Sequence, residues 1–109
     1  MLSMNRTSHE ITDQLVALGQ RIRTARIRRK LRQIDLASRS GLSRTAIEAV
    51  ERGEPTTGII TYLKALWAMG LNRELEILAD PGLDRDGLAL ELSVETKRVS
   101  VQMKVDNDF

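Results

Sequence analysis

The stretch Gln33–Gly53, QIDLASRSGLSRTAIEAVERG, decides how the rest of the chain is read. Its apolar residues Ile34, Leu36, Ala37, Leu42, Ile47 and Val50 recur at helical spacing and give each of two short helices one buried stripe. The spacing predicts a first helix over about Gln33–Arg39 and a second over about Arg44–Arg52, with Ser40, Gly41 and Leu42 as the turn and Gly53 as the stop. Gly41 sits where the chain must reverse with positive φ, which glycine adopts without strain. Ser43 directly precedes the second helix and can accept an N–H bond from its first turn. Two helices joined in this way, with the N-terminal end of the second turned to solvent, form the helix-turn-helix arrangement that enters the DNA major groove.

The same residues carry a family resemblance. Gln33, Leu36, Ala37, Gly41, Leu42, Ser43, Ile47, Glu51, Arg52 and Gly53 stand where Cro/C1-type (XRE) transcriptional regulators have Gln-x-x-Leu-Ala, a Gly-aliphatic-Ser turn, an Ile, and a closing Glu-Arg-Gly. The likeness extends to Leu18, Gly19, Ile22, Arg23 and Arg26 before the motif and to Pro55, Leu63, Leu66 and Gly70 after it, over roughly residues 12–80. It implies a mainly α fold: a five-helix, lambda-repressor-like DNA-binding domain. The domains expected are a flexible N-terminus over residues 1–11, the DNA-binding domain over 12–80 and a C-terminal extension over 81–109.

The outward positions of the second helix of the motif are Ser43, Arg44, Thr45, Glu48 and Ala49. Arg44 can donate two bonds to guanine O6 and N7, and Thr45 can bond a base edge or set its methyl against thymine. Ala49 can also touch a thymine methyl. Glu48 can accept from cytosine N4, or can instead orient Arg44 one turn earlier. Arg44 contacting only phosphate is the blander alternative. Gln33 is implied by the resemblance to touch a backbone phosphate, and Ser43 can serve as both cap and phosphate donor. The resemblance also implies a structural pair, Arg26 with Glu51, tying the preceding helix to the recognition helix.

Charge is uneven along the chain. Residues 1–53 hold 11 Lys/Arg against 5 Asp/Glu, and residues 54–109 hold 6 against 10. The basic half therefore coincides with the motif, as a polyanion-binding surface requires. Residues 21–32, RIRTARIRRKLR, carry seven positive charges and no acid. Within this run Arg28, Arg29, Lys30 and Arg32 are the phosphate candidates; Arg39 and Thr56 are weaker ones further on. Arg32 takes the place of the Ser, Thr or Asn that the family sets before its Gln, so the helix that begins at Gln33 lacks a capping oxygen, at a cost of roughly 1 kcal/mol. Lys30 takes the place of a small residue in the connecting turn.

The remaining elements follow in order. Thr7 and Thr12 are candidate caps for a first helix reaching about Lys30, with Leu15, Leu18, Ile22 and Ala25 as its apolar stripe. Thr57 is read as the cap of a fourth helix over about Gly58–Met69, with Ile59, Leu63, Leu66 and Trp67 inward and Gly70 as the stop. Trp67 is assigned to the core or to a dimer interface. Asn72 caps a short fifth helix, Arg73–Ala79, with Leu75 and Leu78 inward. In residues 88–105 the period becomes 2: Leu88, Leu90, Leu92 and Val94 alternate with polar or small residues, and so do Val99, Val101, Met103 and Val105. Period 2 predicts a C-terminal β-hairpin with Glu95–Arg98 as its turn, used in dimerisation because a lone hairpin is marginal in water. A hairpin folded onto its own helical domain, and a helix over residues 85–95, are the other readings.

No cysteine is present, which excludes disulfides and thiolate metal sites. His9 is the lone histidine, and the sequence offers no metal-ligand cluster, phosphate-binding glycine loop or activated nucleophile, so neither an enzyme nor a cofactor is expected. No apolar run approaches the roughly 20 residues that span a bilayer, and the expected place is the cytoplasm, on the nucleoid. The partners expected are double-stranded DNA and a second copy of the chain, acting together as a repressor on an inverted-repeat operator. The basic first helix, the Glu-Arg-Gly-Glu-Pro segment and the strand-forming tail also look similar to HipB-like antitoxins, which implies a HipA-like toxin kinase as a further partner. Phage-type repressors and restriction-modification controllers share the core, and a chiefly protein-binding antitoxin is the reading from a different class.

Overall fold

The computed structural model describes the backbone of residues 4–107 and the side chains of residues 8–101. Five α-helices occur among the described residues: α1 (Met4–Arg28), α2 (Gln33–Ser40), α3 (Arg44–Arg52), α4 (Ile59–Ala68) and α5 (Arg85–Asn107), with a 3₁₀ turn at Arg73–Ile77. The chain divides after Asn72 into two compact units, earlier than the expected boundary at residue 80, so that the 3₁₀ turn stands with α5.

In the first unit the α1 stripe is inward as its spacing predicts, with Ile22 fully buried and Leu15, Leu18 and Ala25 packed against the core. The core is closed by Leu36 and Ala37 of α2, Ile47 and Val50 of α3, and Tyr62, Ala65 and Met69 after the turn into α4. Helices α1 and α3 meet backbone to backbone. A Cβ on Gly19 would lie 2.6 Å from the Val50 carbonyl oxygen, and one on Gly53 would lie 2.5 Å from Val16 Cα. Gly53 also has φ 72°, closing α3 in the left-handed conformation. Glycine at both positions is thus what lets α1 cross the end of α3.

Helix α1 begins at Met4, not at the expected caps. Thr12 lies inside the helix, where its hydroxyl donates to the Ser8 carbonyl at 2.7 Å. Residues 1–3 of the expected flexible N-terminus lie outside the described residues. At the other end Lys30 adopts φ 56°, in place of the glycine usual there. Its N–H reaches the Ile27 carbonyl and that of Leu31 reaches Arg26, closing α1 in a Schellman arrangement with Leu31 buried beneath it.

Expectations about α2, α4 and the segment after them need correction. Ile34 is 54% exposed and lies outside the core. In α4 the inward arc is Tyr62, Ala65 and, in part, Leu66, while Ile59 and Trp67 face solvent, Trp67 at 62%. The phase is set by Tyr62, whose ring is buried and whose hydroxyl donates to the Glu54 carbonyl at 2.9 Å. Burial raises the Tyr62 pKa. The cap of α4 is Gly58 rather than Thr57, with no side-chain bond. Leu75 and Leu78 are exposed rather than inward.

The largest correction concerns the tail. No strand occurs among the described residues, and residues 88–105 lie within α5. Three local features favour the helix. Asp84 caps it, accepting the Gly87 N–H on Oδ1 at 3.0 Å. The run Leu88–Leu92 has high helix propensity. The expected turn, Glu95–Arg98, has none of the Gly, Asn or Pro chemistry that a tight hairpin requires, and its ends instead lie 3.9 Å apart as an i,i+3 ion pair along the helix. In a helix, residues two apart lie ~200° round the axis, so an alternating pattern becomes two apolar stripes on opposite faces. No described residue of the segment 73–101 is buried.

Candidate DNA-reading surface

Helix α3 is held from three sides. Its apolar face, Ile47 and Val50, is fully buried. Its start is capped by Ser43, whose Oγ accepts the Ala46 N–H at 3.0 Å. Its last turn is clamped through Glu51, which is 8% exposed. Arg26 of α1 donates to both Glu51 carboxylate oxygens, from Nε at 2.5 Å and from Nη2 at 2.9 Å, and donates from Nη1 to the Leu31 carbonyl at 2.9 Å. The carboxylate raises the Arg26 pKa against the opposing effect of burial. The family-implied pair therefore does meet, and it reaches further than the pair itself. One guanidinium joins α1, α3 and the chain entering α2.

Gln33 belongs to the same cluster. Its Nε2 donates to Glu51 Oε1 at 3.2 Å, which fixes its side chain at the start of α2. This contact leaves no mark in the sequence, because Gln33 and Glu51 lie in different helices and neither spacing nor charge links them. A shallow recess beside them is lined by Arg23, Gln33, Glu48, Glu51 and Arg52. Arg23 and Arg52 are exposed there, two cations at the edge of the recognition helix that had not been assigned to the surface.

The four base-reading candidates share one face and one end of α3. Arg44 and Thr45 are exposed, and Glu48 and Ala49 are half-buried. Arg44 Nε lies 3.2 Å from Glu48 Oε1. Of the two roles open to Glu48, orienting Arg44 is the one this contact supports.

The phosphate candidates differ in how they are held. Arg28, Lys30 and Arg39 are exposed. Arg29 folds back to donate to the Ala25 carbonyl at 3.0 Å. Arg32 is paired with Asp35, Nε to Oδ2 and Nη2 to Oδ1, each at 3.1 Å. Asp35 Oδ2 also accepts the Arg32 backbone N–H at 2.8 Å. These bonds hold the Asp35 carboxyl below its usual range, the guanidinium contributing most. The start of α2 thus lacks the capping oxygen of residue 32, but Asp35 supplies the reciprocal half of a capping box. Thr56 donates to Glu54 Oε1 at 3.3 Å in the loop before α4. The cationic side chains Arg23, Arg28, Arg29, Lys30, Arg32, Arg39, Arg44 and Arg52 are exposed on or next to the motif, as a surface that follows a phosphate backbone requires.

A helix-turn-helix family model matches residues 22–71, from the buried Ile22 of α1 through the end of the core. No curated protein and no solved structure matches the chain. No helix among the described residues is long and apolar enough to cross a membrane.

Proposed function

Over residues 22–71 the chain carries a helix-turn-helix domain of the Cro/C1 (XRE) type, and from that premise we propose that the protein is a sequence-specific repressor that binds double-stranded DNA as a homodimer. The observation that carries the reading is the α3 N-terminus: Arg44 and Thr45 stand in solvent on a helix whose opposite face and both ends are fixed. Each copy lays α3 in one major-groove half-site, with half-sites inverted and spaced by about one helical turn, roughly 34 Å. Arg28, Lys30, Arg39 and the neighbouring cations supply salt-sensitive affinity, while Arg44 and Thr45 supply sequence choice. The reading has no catalytic step and needs no cofactor.

The HipB-like reading drew part of its support from a strand-forming tail. With a helix in that place, it rests on the basic first helix and the Glu51–Pro55 segment, and a stand-alone repressor is the simpler function.

The test is footprinting on the DNA upstream of the gene, with wild type and Arg44→Ala. Wild type should protect an inverted repeat, with affinity falling steeply as salt rises. Arg44→Ala should cost about 1–3 kcal/mol and relax preference at one base position per half-site. An equal loss on every sequence would make Arg44 a phosphate contact; protection without sequence preference would sink the regulatory reading.

A further inference from the structure

None of the described apolar side chains of helix α5 is buried. Leu88, Leu92 and Val99 lie along one face, 48%, 58% and 48% exposed, and Leu90, Val94 and Val101 lie along the opposite face. Most helix stability in proteins comes from packing an apolar face against a neighbour, so the exposed stripes of α5 call for a partner. The charges beside the Leu88–Leu92–Val99 face indicate what completes it. Glu91, Glu95 and Arg98 run along one flank at i, i+4 and i+7, acidic toward the N-terminus and basic toward the C-terminus.

We propose that α5 docks antiparallel on α5 of a second copy of this chain along Leu88, Leu92 and Val99. The proposal rests on the homodimer reading and names its seam. Leu92 and Val99 are equidistant from a point between residues 95 and 96. A two-fold axis there sets Leu92 of each copy against Val99 of the other. The same axis brings Arg98 opposite residue 93 of the second copy, between its Glu91 and Glu95. A parallel pairing instead turns this flank toward the opposite flank of the second copy, Ala89, Ser93, Thr96 and Ser100, which carries no charge. Antiparallel pairing through the opposite face is disfavoured because like charges meet there. Its axis falls between residues 97 and 98 and places Arg98 beside Lys97 and Arg98 of the second copy. Only one face in one orientation meets opposite charge.

The test is sedimentation equilibrium of the full chain without DNA. Wild type should be a dimer. Leu92→Asp should weaken dimerisation at least tenfold while the first unit stays folded by its tyrosine and amide spectra, and Val94→Asp on the opposite face of the same helix should leave the dimer intact. Arg98→Glu should weaken it about tenfold, since like charges across an interface are repulsive. The triple variant Glu91→Arg, Glu95→Arg, Arg98→Glu should restore it, because reversing every charge preserves the antiparallel match. A dimer disrupted by Val94→Asp, or one indifferent to both Leu92→Asp and Arg98→Glu, overturns the seam and leaves the homodimer standing. A monomeric wild type overturns both, while DNA reading by a single copy is still decided by Arg44→Ala.

Discussion

Helices α3 and α5 begin with the same local device and end in opposite circumstances. Each opens on an oxygen that accepts the N–H three residues on: Ser43 Oγ from Ala46, and Asp84 Oδ1 from Gly87, both at 3.0 Å. Helix α3 has nine residues, too few to persist alone in water, and buries Ile47 and Val50 completely. Helix α5 has 23 residues and a favourable propensity, and none of its described side chains is buried. The short helix is held by its neighbours and the long one by its own backbone. Function follows the distinction, because a helix that must place Arg44 against a base edge needs a fixed frame, whereas a helix that presents apolar stripes needs only to be available.

The frame of α3 should break most severely at its buried ion pair. Arg26→Ala leaves the Glu51 carboxylate buried with only the Gln33 amide beside it, and removes the bond to the Leu31 carbonyl. Removing one partner of such a pair costs about 3–5 kcal/mol. Urea unfolding followed by tyrosine fluorescence should show the loss in the first unit, and helical signal from α5 should persist beyond the midpoint. If both units were lost together, the contrast between them would be wrong.

A smaller loss is expected where α1 crosses α3. Gly53→Ala adds a Cβ that would meet Val16 Cα at 2.5 Å, at a residue with φ 72°. Overpacking and a non-glycine residue in the left-handed region together cost about 2–4 kcal/mol. Because the backbone must shift to accept the methyl, α3 should also tilt, so DNA affinity should fall by more than the folded fraction explains. A fall that matches the folded fraction alone would show that the crossing sets stability and not the aim of Arg44.

What could be read in the sequence divides along the same line. The α3 frame was legible because its constraints are local or motif-borne: Ser43 at the cap, Gly53 at the stop, Ile47 and Val50 at helical spacing, and Glu51 through the resemblance. Gln33 on Glu51 was not legible, since a hydrogen bond between two helices leaves no periodic trace. Of the expected α4 stripe, Ile59, Leu63, Leu66 and Trp67, only Leu66 packs against the core, because Tyr62, Ala65 and Met69 make as good a stripe and the Tyr62 hydroxyl reaches the Glu54 carbonyl. Residues 88–105 were misread because alternation marks a strand only if a turn closes it, and Glu95–Arg98 cannot. Where none of the described side chains is buried, propensity and capping decide the conformation, and the apolar period records only which faces await a partner.

The two caps give the finest test of the contrast. Ser43→Ala and Asp84→Ala each remove one accepted N–H bond, worth about 1 kcal/mol. In α3 the loss should appear in global unfolding of the first unit, with the helix itself unchanged, because Ile47 and Val50 cannot leave the core without unfolding it. In the first turns of α5 no side chain is buried to resist fraying, so Asp84→Ala should leave global unfolding of the first unit unmoved and should speed hydrogen exchange of the Gly87–Glu91 amides about fivefold. Adding the second copy should reverse this. If α5 packs on its counterpart, the same substitution should loosen the amides of the first turn less at concentrations where the chain is dimeric than where it is monomeric. Exchange that is independent of protein concentration would mean that α5 gains nothing from association, and that the difference between the two helices is permanent rather than a matter of what each has found to pack against.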